Sequence, residues 1–387
     1  MTSKRVKKGF FIFIFSFIFA FNFFANESYY FFDLPVGFKQ IETEDKDTQL
    51  YQHEEFDITL ISKIIHVDKN TSVSQTSKTN LEKLGTKFED EDFTWNNTPG
   101  NVGFLEMELD SMPIEGLSLT LELSSEEHLF CLIYTRQDNV EEYFSAIYSA
   151  LNSLCIDDEY YYTPGPVITF LSSEFRSKPK DYIINLKEAG ITIKTKIDEN
   201  DIENAQINTE LEYNLLNKYL NKETVLQAWE RYYRIIYRDN YSRIKPQMES
   251  IITELKKAAK AQRVQNVDLF IAQSLLSWTQ GFEYIRAKSA NESDFICLPS
   301  VLAGKGNDCD SRSFLICAIL NEYGIKSILL VSPEYKHAMP AIALNEPGQK
   351  FNYNGKDYLM GETTARLTWG TIAAQMQDRT KWFAVSF

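Results

Sequence analysis

The chain reads as an α+β protein. Behind a basic-then-apolar amino terminus come an antiparallel-sheet α/β domain, a helical middle segment, and a C-terminal domain in which a helix carrying a cysteine packs on an antiparallel sheet. Three observations predict this. Apolar residues alternate in short runs up to about Ile156, a helical period dominates from Glu203 to about Gln262, and a helix-then-strand pattern resumes after Asn266. With 44% hydrophobic and 24% charged residues among 387, composition excludes disorder and a collagen-like repeat, and the length predicts two or three domains.

Lys4, Arg5, Lys7 and Lys8 precede a run from Phe10 to Phe24 broken only by Ser16 and Asn22, the order of a secretory signal over residues 1–25. Export to a periplasm or cell envelope is expected, with membrane attachment only if the signal stays uncleaved. The first cysteine is Cys131, which argues against a lipid-attached bacterial lipoprotein amino terminus. No later run is apolar enough to cross a bilayer.

Residues 26–156 form the front domain. Phe56–Ile64, Val102–Leu109, Leu117–Leu123 and Leu129–Tyr134 alternate as strands, and Val140–Leu154 reads as a helix with Tyr143, Phe144, Ile147, Ala150, Leu151 and Leu154 in one stripe. This layout, opening Asp33-Leu34-Pro35-Val36-Gly37-Phe38 and closing Leu151-Asn152-Ser153-Leu154, resembles the PsbP-like fold of exported bacterial proteins. The resemblance implies a domain that binds or positions something. His53, His66 and His128 are scattered and read as strand or loop residues.

Residues 157–265 form a linker and helical region. Thr163–Pro166 looks like a hinge, Ile191–Ile197 alternates as a strand, and the helical stretch after Glu203 is expected to break near Pro246. Arg231, Arg234 and Arg238 share one helical face among aromatic residues. Two readings stand: a stripe that holds a substrate carboxylate or acidic partner in forked guanidinium geometry, or an amphipathic helix whose arginines are solvated or paired internally.

Residues 266–387 carry the chemistry. Gly304-Lys305-Gly306-Asn307-Asp308-Cys309 leads into the apolar stripe Phe314, Leu315, Ala318 and Ile319, so Cys309 starts a buried helix that ends before Gly324. A helix amino terminus favours thiolate over thiol, the state a nucleophile needs. Ser327–Val331 and His337–Ala343 read as strands, and Tyr358–Thr364 follows a turn at Asn354-Gly355. If the last two pair, Glu362 lies near His337, and a thiol, an imidazole and a carboxylate converge.

These residues resemble the transglutaminase-like superfamily, with its papain-like arrangement, and especially its bacterial cysteine-peptidase-like members. Their pattern is a glycine-led Asp-Cys-Asp at a helix start, His-Ala on a following strand, and an acid before threonine on the next. Asp308-Cys309-Asp310, Ser313, His337-Ala338 and Glu362-Thr363-Thr364 follow it in order. Asn307 adds one residue to the usual Gly-Asp-Cys, and Glu stands where many relatives have Asp. The resemblance implies a Cys309–His337–Glu362 triad. Gln280, followed by Tyr284, would donate to the oxyanion with the Cys309 backbone N–H, and Asp308 and Asp310 would border the substrate. It implies a thiol-dependent amide hydrolase acting on protein or peptide, cell-wall peptides included; a protein-crosslinking enzyme and a non-catalytic envelope scaffold are the alternatives.

No cofactor is expected. Cys297, Cys309, Cys317 and His337 are separated by 11, 7 and 19 residues, which fits no common structural zinc site, and Cys297 and Cys317 read as core. The net charge of −14 argues against nucleic acid. It is unevenly spread: +4 in residues 1–25, 8 basic against 25 acidic in 26–156, and 28 against 29 thereafter. The acidic front domain is therefore expected to dock on the arginine face.

Overall fold

A computed structural model describes residues 30–158, 160–173, 177–286, 292–304 and 307–387. The expected signal lies outside these residues, as do Lys305 and Gly306. Among the described residues no helix is long and apolar enough to cross a membrane.

The fold is α+β. In the front segment the short strand β1 (Phe31–Phe32) is followed by β2 (Phe38–Ile41), β3 (Thr48–His53) and β4 (Ile58–His66), then helix α1 (Val73–Lys83). β5 (Lys87–Trp95), β6 (Thr98–Leu109), β7 (Met112–Ser124), β8 (Glu127–Arg136) and α2 (Val140–Asn152) complete it. Seven of the strands form one antiparallel sheet in the order β2-β3-β4-β8-β7-β6-β5. Its two faces explain why β8 is buried almost throughout. Leu129, Cys131 and Ile133 point to the α2 side with Ile147 and Leu151, while Phe130 and Leu132 point to Leu81 of α1. Helix α1 escapes the periodicity test because its inward face is Val73, Thr76, Ser77 and Leu81. Its start is marked by Ser72, whose side chain accepts the Gln75 N–H.

Strand β9 (Leu154–Cys155) pairs with β1, and α3 (Pro166–Ser172) follows. The expected hinge is held in place: the Ile168 N–H donates to Asn152 Oδ1, and Gly165 lies so close to Asn152 that a Cβ would meet its carbonyl oxygen at 2.0 Å. β10 (Pro179–Leu186) and β11 (Ile191–Asp198) form a hairpin before α4 (Glu199–Asn217) and α5 (Val225–Ala261). The break falls between these two helices and not at Pro246, which sits inside α5. Proline removes one backbone donor, but Ile244, Met248, Ile251, Ile252 and Leu255 on both sides of it are buried, so packing carries the helix through.

The C-terminal segment comprises α6 (Val267–Thr279), the short α7 (Leu298–Leu302), α8 (Cys309–Tyr323), β12 (Ser327–Ser332), β13 (His337–Ile342), β14 (Lys350–Tyr353), β15 (Lys356–Met360) and β16 (Phe383–Val385). The sheet order is β14-β15-β13-β12-β16. Leu329, Val331, Ala338 and Ile342 join the core shared with α8, whereas Ile328, Leu330, Met339, Tyr358 and Met360 pack with Ile372 and Trp382. Gly324 ends α8 with φ 102°, a left-handed cap that glycine adopts without strain.

Candidate functional site

The site assembles where α8 begins. Asp308 caps the helix, its Oδ1 accepting the Ser311 N–H at 3.0 Å and the Ser311 hydroxyl at 2.7 Å. Ser311 Oγ in turn accepts the Ile296 N–H at 2.8 Å. One turn further on, Ser313 Oγ donates to the Ala338 carbonyl at 3.3 Å, which fixes α8 against β13. Cys309 therefore lies beside Ala338, and its thiol is fully buried. The small Ala338 side chain permits this approach.

His337 opens β13 opposite Ser332. Its Nε2 lies 3.1 and 3.2 Å from the two Glu362 oxygens. The antiparallel register Ala341↔Met360 produces this meeting, because it brings Gly361 to the Pro340 carbonyl and the chain on toward the start of β13. Glu362 Oε1 also accepts the Thr364 N–H at 2.7 Å and the Thr364 hydroxyl at 2.6 Å. Burial pushes the Glu362 carboxyl up, but the bonds from His337 and Thr364 outweigh it and hold the group below its ordinary value. An ionised Glu362 accepts a hydrogen bond from Nε2–H, which leaves the Nδ1 lone pair as the basic site. Among the described residues no hydrogen bond joins His337 to the sulfur.

The expected thiolate is overturned by the surroundings of the thiol. Burial pushes the Cys309 thiol far up, Asp310 and Asp308 push it further, and the Ala338 backbone N–H is the contact that opposes them. The thiol donates to Asp310 Oδ1 at 3.2 Å, and Asp310 also accepts the Tyr233 hydroxyl. A helix terminus contributes up to about 2 kcal/mol at a partly buried charge, which burial beside two carboxyl groups exceeds. Burial and the neighbouring Asp310 also raise Asp308 well above the ordinary carboxyl range.

Gln280 does not face the thiol with a free donor. Its amide Nε2 donates to the Glu362 and Leu367 carbonyls at 2.8 and 2.9 Å, so both hydrogens brace the loop that carries the acid. Asp308 and Asp310, expected to border the substrate, serve the helix cap and the thiol–Tyr233 contact instead. Together with Cys309 they form the one cluster of potential metal ligands among the described residues, with ligand atoms within 4.8 Å of each other. Cys297 and Cys317 are buried, their thiols donating to the Ile202 and Ile328 carbonyls.

The arginine face is likewise corrected as a substrate site. Arg231 donates to Glu212 Oε2 at 3.0 Å, to the Asp33 carbonyl at 2.8 Å and to Ser149 Oγ at 2.9 Å. Arg234 grips the Asp33 carboxylate at 2.6 and 2.8 Å, and Arg238 donates to the Ser153 and Leu154 carbonyls. These contacts join α5 to the front segment through one aspartate and backbone carbonyls, and Arg231 and Arg238 are buried.

Three residues with no assigned role in the sequence reading also build the site. Arg312, three positions after the cysteine, donates to Asn307 Oδ1 at 2.8 Å, the Thr363 carbonyl at 3.2 Å and the Phe282 carbonyl at 2.8 Å, tying together the loops around the thiol. Its guanidinium lies 5.2 Å from the Tyr284 ring centre. Tyr284 bridges Asn307 in parallel, and burial with the neighbouring Cys309 pushes its hydroxyl up to about 12. Arg286 donates to the Lys336 carbonyl at 3.1 Å, next to His337. An arginine three positions after the cysteine, just before the apolar stripe, is the sequence signal for the first of these.

No family model matches the chain, and no curated protein matches it. Among solved structures, it is similar to cyanobacterial PsbP from Synechocystis sp. PCC 6803 at 12% identity, covering 34% of this chain and 88% of that one with a TM-score of 0.29. LpqN of Mycobacterium tuberculosis, described as involved in cell envelope biogenesis, is similar at 6% identity, covering 32% and 81% with a TM-score of 0.28. A protein of Bacteroides thetaiotaomicron VPI-5482 is similar at 8% identity, covering 85% of each chain with a TM-score of 0.26.

Proposed function

We propose that the protein is a thiol-dependent amide hydrolase, a cysteine peptidase or amidase, with Cys309 as nucleophile, His337 as base and Glu362 as the group that orients the base. The observation that carries this is the buried contact of Glu362 with His337, the first residue of β13, whose next residue Ala338 meets the Cys309 sulfur. In the reaction, the Cys309 S–H turns from Asp310 and gives its proton to His337 Nδ1 as sulfur attacks the amide carbonyl. The carbonyl electrons move onto oxygen, and the Cys309 N–H, in the first turn of α8 with no intrahelical acceptor, faces the new charge. Collapse breaks the C–N bond, His337 returns the proton to the leaving amine, and water then cleaves the thioester by the same steps. An amine in place of water would make the same site a cross-linking enzyme.

A fully buried thiol held against a carboxylate favours a second reading, a non-catalytic binding or scaffold protein on the same fold. One experiment separates the readings. The protein is incubated with peptides and with cell-wall peptides, with and without a primary amine, and both products and the intact protein mass are followed. Hydrolysis is expected, lost in Cys309→Ala and reduced about 10³-fold in His337→Ala; the same activity in Cys309→Ala overturns the proposal, and amine incorporation selects transfer over hydrolysis. Export is proposed on the basic-then-apolar order of residues 4–24 alone. Sequencing the amino terminus of the protein recovered from the envelope tests it.

A further inference from the structure

A groove runs along α4, outside the triad. It has a volume of about 1200 Å³, beyond the range of about 300–1,000 Å³ usual for small-molecule pockets. Glu199, Glu203, Gln206 and Glu210 line it at the spacing of one helical face. That face runs about 17 Å, the span of about five residues of extended peptide. Phe144, Leu171, Ile207 and Ile285 line it while remaining 39 to 45% exposed, an apolar floor of which Phe144 also stacks on Tyr148.

The rim is acidic. Glu203, Glu210, Glu292 and Asp294 stand on it with Glu199, against Lys178 and Arg286. Glu199 is paired with Lys180, and Glu210 accepts the Ser293 N–H, whereas Glu203 on α4 and Glu292 before Ser293 are exposed. At one end the groove reaches Arg286, which donates to the Lys336 carbonyl beside His337. Arg286 thus belongs both to the groove and to the surroundings of the residue that precedes the base.

From this charge, length and continuity we infer that the groove binds an extended polypeptide rich in basic and large apolar side chains, and delivers it to Cys309. The apolar side chains seat on Phe144, Leu171, Ile207 and Ile285, while the basic ones meet Glu203 and Glu292. Delivery to the thiol rests on the hydrolase reading; binding in the groove does not.

The test measures binding to the Cys309→Ala protein by fluorescence anisotropy, using labelled, end-capped octapeptides that alternate Leu-Lys, Leu-Glu or Ser-Lys. Tighter binding of Leu-Lys than of either other peptide is expected. The double variant Glu203→Lys/Glu292→Lys, with both changes on exposed residues, should weaken it about tenfold at low salt, and Ile207→Ser should weaken it severalfold. Equal binding of Leu-Glu, equal binding of Ser-Lys, no binding at all, or indifference to the charge reversal overturns the groove. Turnover separates the two ideas: Leu-Lys binding without hydrolysis by the wild type defeats the hydrolase alone, and hydrolysis without this preference defeats the groove alone.

Discussion

At Cys309 two influences oppose each other. The amino terminus of α8 favours a thiolate, while burial and the carboxyl groups of Asp310 and Asp308 favour the thiol, and the latter prevail. Asp310 is the carboxyl group that accepts the hydrogen bond from the thiol. Replacing it with asparagine removes a negative charge beside the sulfur and keeps an oxygen for the Tyr233 hydroxyl. Asp310→Asn is therefore expected to lower the thiol pKa and to raise the rate of iodoacetamide labelling of Cys309 at pH 8 about tenfold, equivalent to one pKa unit. A rate equal to wild type would mean that burial alone sets the thiol. The cysteine, histidine and acid could all be named from the sequence because order and spacing are sequence properties. The state of the thiol could not, because it depends on how deeply α8 is sunk and on which way Asp308 and Asp310 turn.

Among the elements, α5 has the widest reach. Its arginines bind Asp33 and the end of α2, its tyrosines enter the core, and Tyr233 touches Asp310 beside the thiol. Arg231 and Glu212 are both almost fully buried and paired at 3.0 Å. Arg231→Met leaves the Glu212 carboxylate in the core without its cation, which costs about 3 to 5 kcal/mol. Denaturant unfolding is expected to show that loss, and Arg231→Met/Glu212→Leu should recover most of it. A single variant as stable as wild type would show that the pair adds nothing net. The face that bears the arginines follows from helical period; what they meet required the fold. Pro246 gave the opposite misreading. Local chemistry predicts a break there, but buried residues on both sides of it supply more packing than one backbone bond removes.

Across the whole molecule, one continuous buried cluster runs from Tyr30 and the front sheet through α4 and α5 to α8 and Val385. His53 sits on that seam. Its Nε2 lies 2.9 Å from the Val36 carbonyl and 3.3 Å from the Tyr219 hydroxyl, and its Nδ1 accepts the Glu55 and Phe56 N–H groups. Burial lowers its pKa from 6.5 to about 4, with Lys222 adding to the effect and the Val36 carbonyl opposing it. The folded state thus holds His53 neutral while the unfolded chain takes up a proton. Its contribution is complete above pH 6.5 and is lost as pH falls toward about 4. Burial also lowers His128, which acts in the same direction. Unfolding free energy should decline across that window, and His53→Gln, which does not titrate, should flatten the decline; an unchanged slope would assign it to other groups.

Fold class, the strongly periodic strands and helices, the uneven charge and the candidate residues Cys309, His337 and Glu362 are legible in the order of residues alone. Those follow from side-chain period, from glycine and proline, and from residue type, which are local. Tertiary structure alone decided that Gln280 braces the acid's loop, that Arg231, Arg234 and Arg238 are bound internally, and that α1 packs with a mostly polar sequence. It also decided that an acidic groove with an apolar floor lies along α4 and takes in Arg286. Each of these depends on what lies across a packed interface, and distance along the chain carries no information about that.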